Sequence, residues 1–284
     1  MFTPTLQKLS TDDIPALVKL AHAVKWDYNE EEVRTILALG PMYGHKDEHG
    51  RLLSSAGVIQ YEGGITALGM VIVDPSFHRR GLGHALMAAC MEAVPPATPI
   101  MLIATEMGRP LYEKFGFSVV DTVHKFICER FVSWAPEVSD GVEIVPMTTD
   151  ELEGVIRFDE KAVGTIRAAF LQERIKQAKQ CLVAKDADGS IKGYGLAVQG
   201  PVNLVAGPIA ASDHNLAVRL LCRLAENHRG NVRIDVPDGQ FSFIDALERN
   251  GFVKSNQPPV MIARASRMPQ RNGTYFSIAS QFFG

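Results

Sequence analysis

The chain repeats itself. Leu9-Ser-Thr-Asp-Asp-Ile14 returns as Met147-Thr-Thr-Asp-Glu-Leu152, and at nearly the same offset Leu111-Tyr-Glu-Lys-Phe-Gly-Phe117 returns as Ala246-Leu-Glu-Arg-Asn-Gly-Phe252. Two matches in step at so long a period mean that one folding unit is present twice, so the two halves must solve the same packing problem. Trp134-Ala-Pro and Ser-Asp-Gly break any apolar period between them, which puts the junction in 133–141 and gives units 1–132 and 142–284. At 284 residues the chain is long enough for each unit to bury its own core.

Within the first unit the punctuation is clear. Ser10-Thr-Asp-Asp13 caps a helix running to about Val24, and Asn29-Glu-Glu-Glu32 opens a second that ends near Gly40. Met42 to His45, Leu52 to Tyr61 and Ile65 to Val73 read as strands of a meander. A helix from Gly81 to about Val94 is stopped by Pro95-Pro96, and a strand over Pro99 to Ala104 follows.

The third strand runs into Val73-Asp-Pro-Ser-Phe-His-Arg-Arg-Gly-Leu-Gly-His-Ala-Leu86, a basic, glycine-bearing turn that opens the helix. First-turn N–H groups lack intrahelical partners and the dipole is positive there. Gly81 and Gly83 let an anion approach without a Cβ in the way, while Arg79 and Arg80 add charge. A dinucleotide fingerprint would need glycine where Leu86 stands, and a Walker loop would need Gly-Lys-Ser or Gly-Lys-Thr. Further along comes Thr105-Glu-Met-Gly-Arg-Pro-Leu-Tyr-Glu-Lys-Phe-Gly-Phe117.

Together these two stretches resemble the signatures of the GCN5-related N-acetyltransferases (GNAT): the acyl-CoA loop, Gln/Arg-x-x-Gly-x-Gly/Ala, and Asn-x-x-Ala-x-x-Leu-Tyr-x-x-x-Gly-Phe. His78 departs from the first pattern, and Thr105 and Gly108 stand where Asn and Ala are usual in the second. The resemblance implies an α/β (α+β) fold of two tandem GNAT-like domains, each a mixed, mostly antiparallel sheet flanked by helices. It further implies that Val71, Ile72 and Val73 splay from their neighbour to hold the pantetheine arm of acetyl-CoA. The pyrophosphate would lie on the turn of His78, Arg79, Arg80, Gly81, Leu82, Gly83 and His84, while Ala85, Thr105 and Gly108 would also bind the cofactor, Thr105 standing where the family's Asn meets the pantetheine arm. Tyr112 would protonate the departing thiolate, and Trp26, Asp27 and Tyr28 would shape the acceptor pocket, an acidic residue with aromatics suiting a cationic amine. Ile65 to Val73 has no interior glutamate, which leaves Asp74, Glu62 and His45 as alternatives for the base. The second copy has Ala206-Gly-Pro-Ile-Ala-Ala-Ser-Asp-His-Asn215 before its helix, with no Gly-x-Gly, and Leu247 in place of Tyr112, so it reads as degenerate.

The expected activity is acetyl-CoA-dependent N-acetylation of a small-molecule amine or amino acid by residues 1–132. An acyl-CoA-binding sensor and a protein N-acetyltransferase are the alternatives; a proton donor counts against the first, and an open acidic groove would mark the second. A net charge of −3 with no basic run argues against nucleic acid. No apolar run reaches membrane length, and Met-Phe-Thr-Pro-Thr-Leu carries no export signal, so a soluble cytoplasmic protein is expected. Scattered Cys90, Cys128, Cys181 and Cys222 suit reduced thiols, and no His or Cys spacing suits a metal.

Overall fold

The computed structural model describes residues 4–134 and 141–284, so most of the expected junction lies outside the described residues. Each half carries the same order of elements. The first has β1 (Thr5–Lys8), α1 (Ile14–Ala23), α2 (Glu30–Leu39), β2 (Met42–Lys46), β3 (Leu52–Gln60) and β4 (Thr66–Val73). It continues with α3 (Leu82–Glu92), β5 (Ile100–Ile103), α4 (Arg109–Lys114) and β6 (Ser118–Cys128). The second has β7 (Glu143–Pro146), α5 (Leu152–Val163), α6 (Ala168–Gln177), β8 (Gln180–Lys185), β9 (Ile191–Gln199) and β10 (Asn203–Ala211). After these come α7 (His214–Ala225), β11 (Asn231–Pro237), α8 (Phe241–Arg249) and β12 (Val253–Asn256), then β13 (Pro259–Ala263) and β14 (Tyr275–Ser277).

The helix starts follow the capping logic of the sequence. Ser10 and Asp13 form a capping box that launches a short 3₁₀ turn into α1, and the Asn29 side chain accepts from the Glu32 N–H at the head of α2. Strand β3 is buried along nearly its whole length because both faces are covered. Ile59 packs in one cluster with Leu17, Val33 and Ile36 of α1 and α2, while its neighbour Val58 packs on the other side with Leu86, Met87 and Cys90 of α3. That is the alternation a pleated strand imposes.

The halves exchange strands. The sheet runs β1-β2-β3-β4-β5-β13-β6-β11-β10-β9-β8-β7, mostly antiparallel, so β13 of the second half fills the place between β5 and β6 of the first. Reciprocally, the far end of β6 crosses into the second half, where Val123 to Cys128 pair with β11 and Lys125 to Ile127 pair with β12. One apolar cluster spans the join, containing Leu17, Ile36 and Met70 together with Val155, Phe170, Tyr194 and Phe283.

The segment after β14 ties the arrangement together. Arg167, fully buried and paired with Asp159, donates to the Gly284 carbonyl at 2.9 Å and to the Tyr275 hydroxyl at 3.0 Å. Tyr61 donates to the Phe283 carbonyl at 2.7 Å. Phe282 lies in a notch of the first half's sheet, where a Cβ on Gly69 would stand only 1.7 Å from its ring. Among the described residues no helix is long and apolar enough to cross a membrane, and no group of His, Cys, Asp and Glu has the makings of a metal site.

Candidate active site

Strands β4 and β5 are parallel but pair only at Thr66 with Ile100 and Ala67 with Met101. Beyond that point they part. Met70 takes a left-handed backbone conformation at φ 50°, and the register of β3 on β4 shifts between Ser55 and Gly57, a bulge that turns the strand away from β5. Leu68 to Val71 on one side and Leu102 and Ile103 on the other therefore line an open wedge.

At the end of β4 the chain is clamped before it enters the basic turn. Asp74 caps the 3₁₀ turn Pro75–Phe77 through the Ser76 N–H at 2.9 Å and pairs with Arg51. Burial pushes the Asp74 carboxyl up, but Ser76 and the Arg51 guanidinium outweigh it and hold it below the usual range. The His78 ring nitrogen sits 3.0 Å from the Val73 carbonyl, and Arg80 lies 4.9 Å from the Phe77 ring centroid. Gly81 is the N-cap of α3, at φ 81° and with no side chain capping the helix. Its left-handed conformation suits glycine and leaves the first N–H groups free. Leu82 anchors the turn in the core, the His84 ring lies tilted against Phe115 at 4.8 Å between centroids, and the Ala85 N–H makes the helix's first backbone bond, to Gly81. Helix start, free donors and exposed Arg79 and Arg80 together form an anion cradle.

On α4, Tyr112 is only 6% exposed, and among the described residues nothing hydrogen-bonds its hydroxyl. Burial pushes the phenol up to about 12. Its ring lies against Gly108, where a Cβ would stand 2.9 Å from the hydroxyl, and the Thr105 hydroxyl accepts from the Gly108 N–H at 3.1 Å. Tyr112, Thr105 and the β4/β5 wedge share one cavity of about 490 Å³, and Trp26, Asp27 and Tyr28 line its other end. Ile72, Val73 and the turn from His78 to Ala85 lie off that cavity, along the mouth of the wedge and the start of α3.

Asp74, Glu62 and His45 do not line the cavity. Asp74 is committed to Arg51, and Glu62 accepts from the Ala169 N–H at 2.9 Å as a tie to the second half. His45 is buried with its Nδ1 2.7 Å from the Ser54 hydroxyl, and burial pushes its pKa down.

The second half supplies much of the cavity wall, through residues that the sequence does not single out. Arg174, 1% exposed, pairs with Glu32 and donates to the Ala279 carbonyl at 2.8 Å. Gln177 donates to the same Glu32 at 2.7 Å. Asp27 accepts from the Val202 N–H at 3.0 Å and the Asn203 amide at 2.6 Å. Lys125, Arg233 and the stretch Ser280 to Phe282 complete the lining. Tyr28 is half-buried beside Glu32, and burial first, then that carboxylate, drives its phenol pKa up.

The matching wedge in the second half is shut. β10 and β11 pair in parallel only from Asn203 to Val205. Where they would part, β14 pairs with β10, the Ser277 hydroxyl donates to the Ala206 carbonyl at 2.8 Å, and the Ile278 N–H reaches the Asp235 carbonyl at 2.9 Å. The anion cradle is also gone, since α7 is capped by its own carboxylate, Asp213 accepting from the Leu216 N–H at 3.0 Å.

Two tandem units with one order of elements, the first of them with splayed parallel strands leading to a glycine-started helix, define an acyltransferase fold, and comparison with known proteins agrees. Two family models, each described as an acetyltransferase (GNAT) domain, match residues 29–151 and 155–277. An uncharacterised N-acetyltransferase of Bacillus subtilis, YitH, is 33% identical over 280 residues, 98% of each chain. A holothin acyltransferase of a Pseudoalteromonas species is 25% identical over 259 residues, 88% of this chain and 84% of the relative. Among solved structures, a tandem GNAT protein from the clavulanic acid biosynthesis pathway superposes with a TM-score of 0.70 at 14% identity, covering 93% of this chain and 99% of its own. The chain belongs to the GCN5-related N-acetyltransferase family and is an acyltransferase built from two tandem GNAT domains.

Proposed function

We propose that this is an acetyl-CoA-dependent N-acetyltransferase of a small-molecule amine or amino acid, working in the cytoplasm, with residues 1–132 as the catalytic unit and residues 142–284 walling the acceptor site. The observation that carries the reading is the convergence of the open β4/β5 wedge and the Tyr112 phenol on one cavity. The residues present fit the cosubstrate: the uncapped start of α3 with Arg79 and Arg80 suits its pyrophosphate, and the unpaired strand edges Val71 to Val73 suit the amides of its pantetheine arm. Acetyl-CoA supplies an activated acyl group. The protein's task is then to hold a neutral amine near the thioester carbon, to offer a backbone N–H of the wedge to its oxygen, and to return a proton to the sulfur. Tyr112 is the group for the last step, because its raised pKa keeps the phenol loaded at neutral pH and no partner among the described residues competes for it.

The acceptor end favours a small molecule over a protein side chain. Segments of both halves enclose it, and its charged lining is not acidic, with Lys25, Lys125, Arg174 and Arg233 against Asp27 and Glu32. A relative that acylates holothin over most of the same length supports the same reading. The test is free-thiol release from acetyl-CoA by the purified protein across amino acids, polyamines, aminosugars and short peptides, with Tyr112→Phe alongside. Amine-dependent release that the variant loses is expected. Saturable acetyl-CoA binding with no release for any amine would overturn the catalytic reading in favour of an acyl-CoA sensor.

A further inference from the structure

The charged groups around the acceptor end differ in how fully they are engaged. Arg174 has its guanidinium on Glu32, Gln177 and the Ala279 carbonyl. Arg233 makes three contacts to Asp235, at 3.2, 3.1 and 2.5 Å. Asp27 is held by the Val202 N–H and the Asn203 amide. Lys125 is different. It lies opposite Asp235 of β11 and Asn256 of β12 in the ladder, yet among the described residues its ammonium has neither an ion pair nor a hydrogen bond. Strand alternation fixes its direction: Phe126 beside it enters the core of the second half, so Lys125 faces the cavity.

A half-buried ammonium with no partner is costly to keep. Burial first, then the Arg233 guanidinium, pushes the Lys125 pKa down, against the smaller pulls of Asp235 and Asp27. Asp27 and Asp235 already have donors of their own, so neither carboxylate is left free for Lys125, and a ligand's anionic group would find an unpaired ammonium there. Four more polar groups in the same wall are also unsatisfied: the Asn203 Oδ1, the Ser280 hydroxyl, the Gln281 side-chain nitrogen and the Arg174 Nε. Such a wall is built for a polar ligand.

We propose that the acceptor is an amine that also carries a carboxylate, an amino acid or a short peptide, and that Lys125 is the specificity residue that binds this carboxylate. The proposal rests on the reading of this cavity as the acceptor site. A single negative charge fits better than a phosphate, because the two arginine forks that would grip a dianion are already occupied by Glu32 and Asp235. The strand exchange gives the placement its logic: Lys125 belongs to the first half's chain but reaches the cavity from within the second half's sheet.

The experiment measures kcat/KM for matched acceptors, each α-amino acid beside its carboxamide and its decarboxylated amine. The wild type is expected to favour the acids by about tenfold or more. Lys125→Met should erase that preference by raising KM for the acids, while leaving kcat, acetyl-CoA affinity and turnover of the decarboxylated amines within about twofold. Lys125→Arg, which keeps the charge, should retain the preference and guards against a fault in folding. Equal use of acids and decarboxylated amines by the wild type, or an equal loss on both in Lys125→Met, overturns this proposal and leaves the acetyltransferase reading standing. Thiol release with no acceptor of any kind overturns both.

Discussion

Cutting the chain at 132 removes β13 from between β5 and β6. Val260, Met261 and Ile262 on that strand are 1%, 0% and 0% exposed, Met261 in the cluster that holds Leu102 and the other two in the one that holds Ile72 and Met101. Burying a side chain of this size is worth about 1.5–3 kcal/mol, so the three together contribute about 5–9 kcal/mol. Whole domains are stable by only about 5–15 kcal/mol. The ladder bonds that β13 makes on both sides, to β5 and to β6, go as well, and Phe282 leaves the notch at Gly69. Residues 1–132 alone should therefore show no cooperative thermal transition by far-UV circular dichroism and no acetyl-CoA binding by calorimetry, although they hold every residue proposed to touch the cosubstrate. Coexpression with residues 133–284 should restore both. Met261→Ala in the full chain should cost about 2–5 kcal/mol, read as a shift of the denaturation midpoint. A fragment 1–132 that melts cooperatively and binds acetyl-CoA as tightly as the full chain would refute the claim that the exchanged strand is structurally required.

Other expectations follow from the site. The Tyr112 phenol, raised to about 12, is protonated at every working pH and loses its proton only above that value, so kcat should show no alkaline fall due to it up to about pH 10. Tyr112→Phe should lower kcat about 10²- to 10⁴-fold without moving the acidic limb; an unchanged rate would remove the acid from the mechanism. Arg79→Ala and Arg80→Ala should each raise KM for acetyl-CoA about three- to tenfold and leave the acceptor KM alone, and a change confined to the acceptor would mean the turn has been misassigned. Calorimetry should count one acetyl-CoA per chain, because β14 fills the second wedge and Asp213 the second helix start; a stoichiometry of two would show that this plug moves aside.

What the sequence made legible is what is local. The caps at Ser10 and Asn29 stand where side-chain chemistry puts them, and the turn from His78 to Ala85 is continuous in the chain, so its role as a helix start with free donors needed only the spacing of Gly81 and Gly83. Tyr112 stood in a contiguous motif and was equally visible. Lys125, Arg174, Arg233 and Ser280 to Phe282 were not, because none belongs to a motif: Lys125 and Arg233 reach the cavity through pairing between distant strands, Arg174 through the packing of α6, and Ser280 to Phe282 through the segment after β14. Strand register of that kind leaves almost no trace in one sequence. The base candidates illustrate the same limit: Asp74, Glu62 and His45 are titratable groups that a sequence can offer without their geometry, and each is engaged in fastening an element.

The fate of the second copy follows from the same geometry. Two parallel strands that part beyond a short pairing leave unpaired N–H and C=O groups, which have to be satisfied by a ligand, by water or by more protein. In the first half these edges stay open toward the cavity, and in the second they are closed by Tyr275 to Ile278. The closing segment does not stop there. Two residues beyond Ile278, Ser280 begins the stretch that lines the first half's cavity, with Phe282 seated against Gly69 of the open wedge. One continuous segment therefore plugs one wedge and walls the other, so a substitution that loosened β14 would disturb the acceptor end of a site in the opposite half. On this geometry the closed wedge of the second half and the enclosed cavity of the first depend on one segment, and deleting β14 would disturb the wall of that cavity.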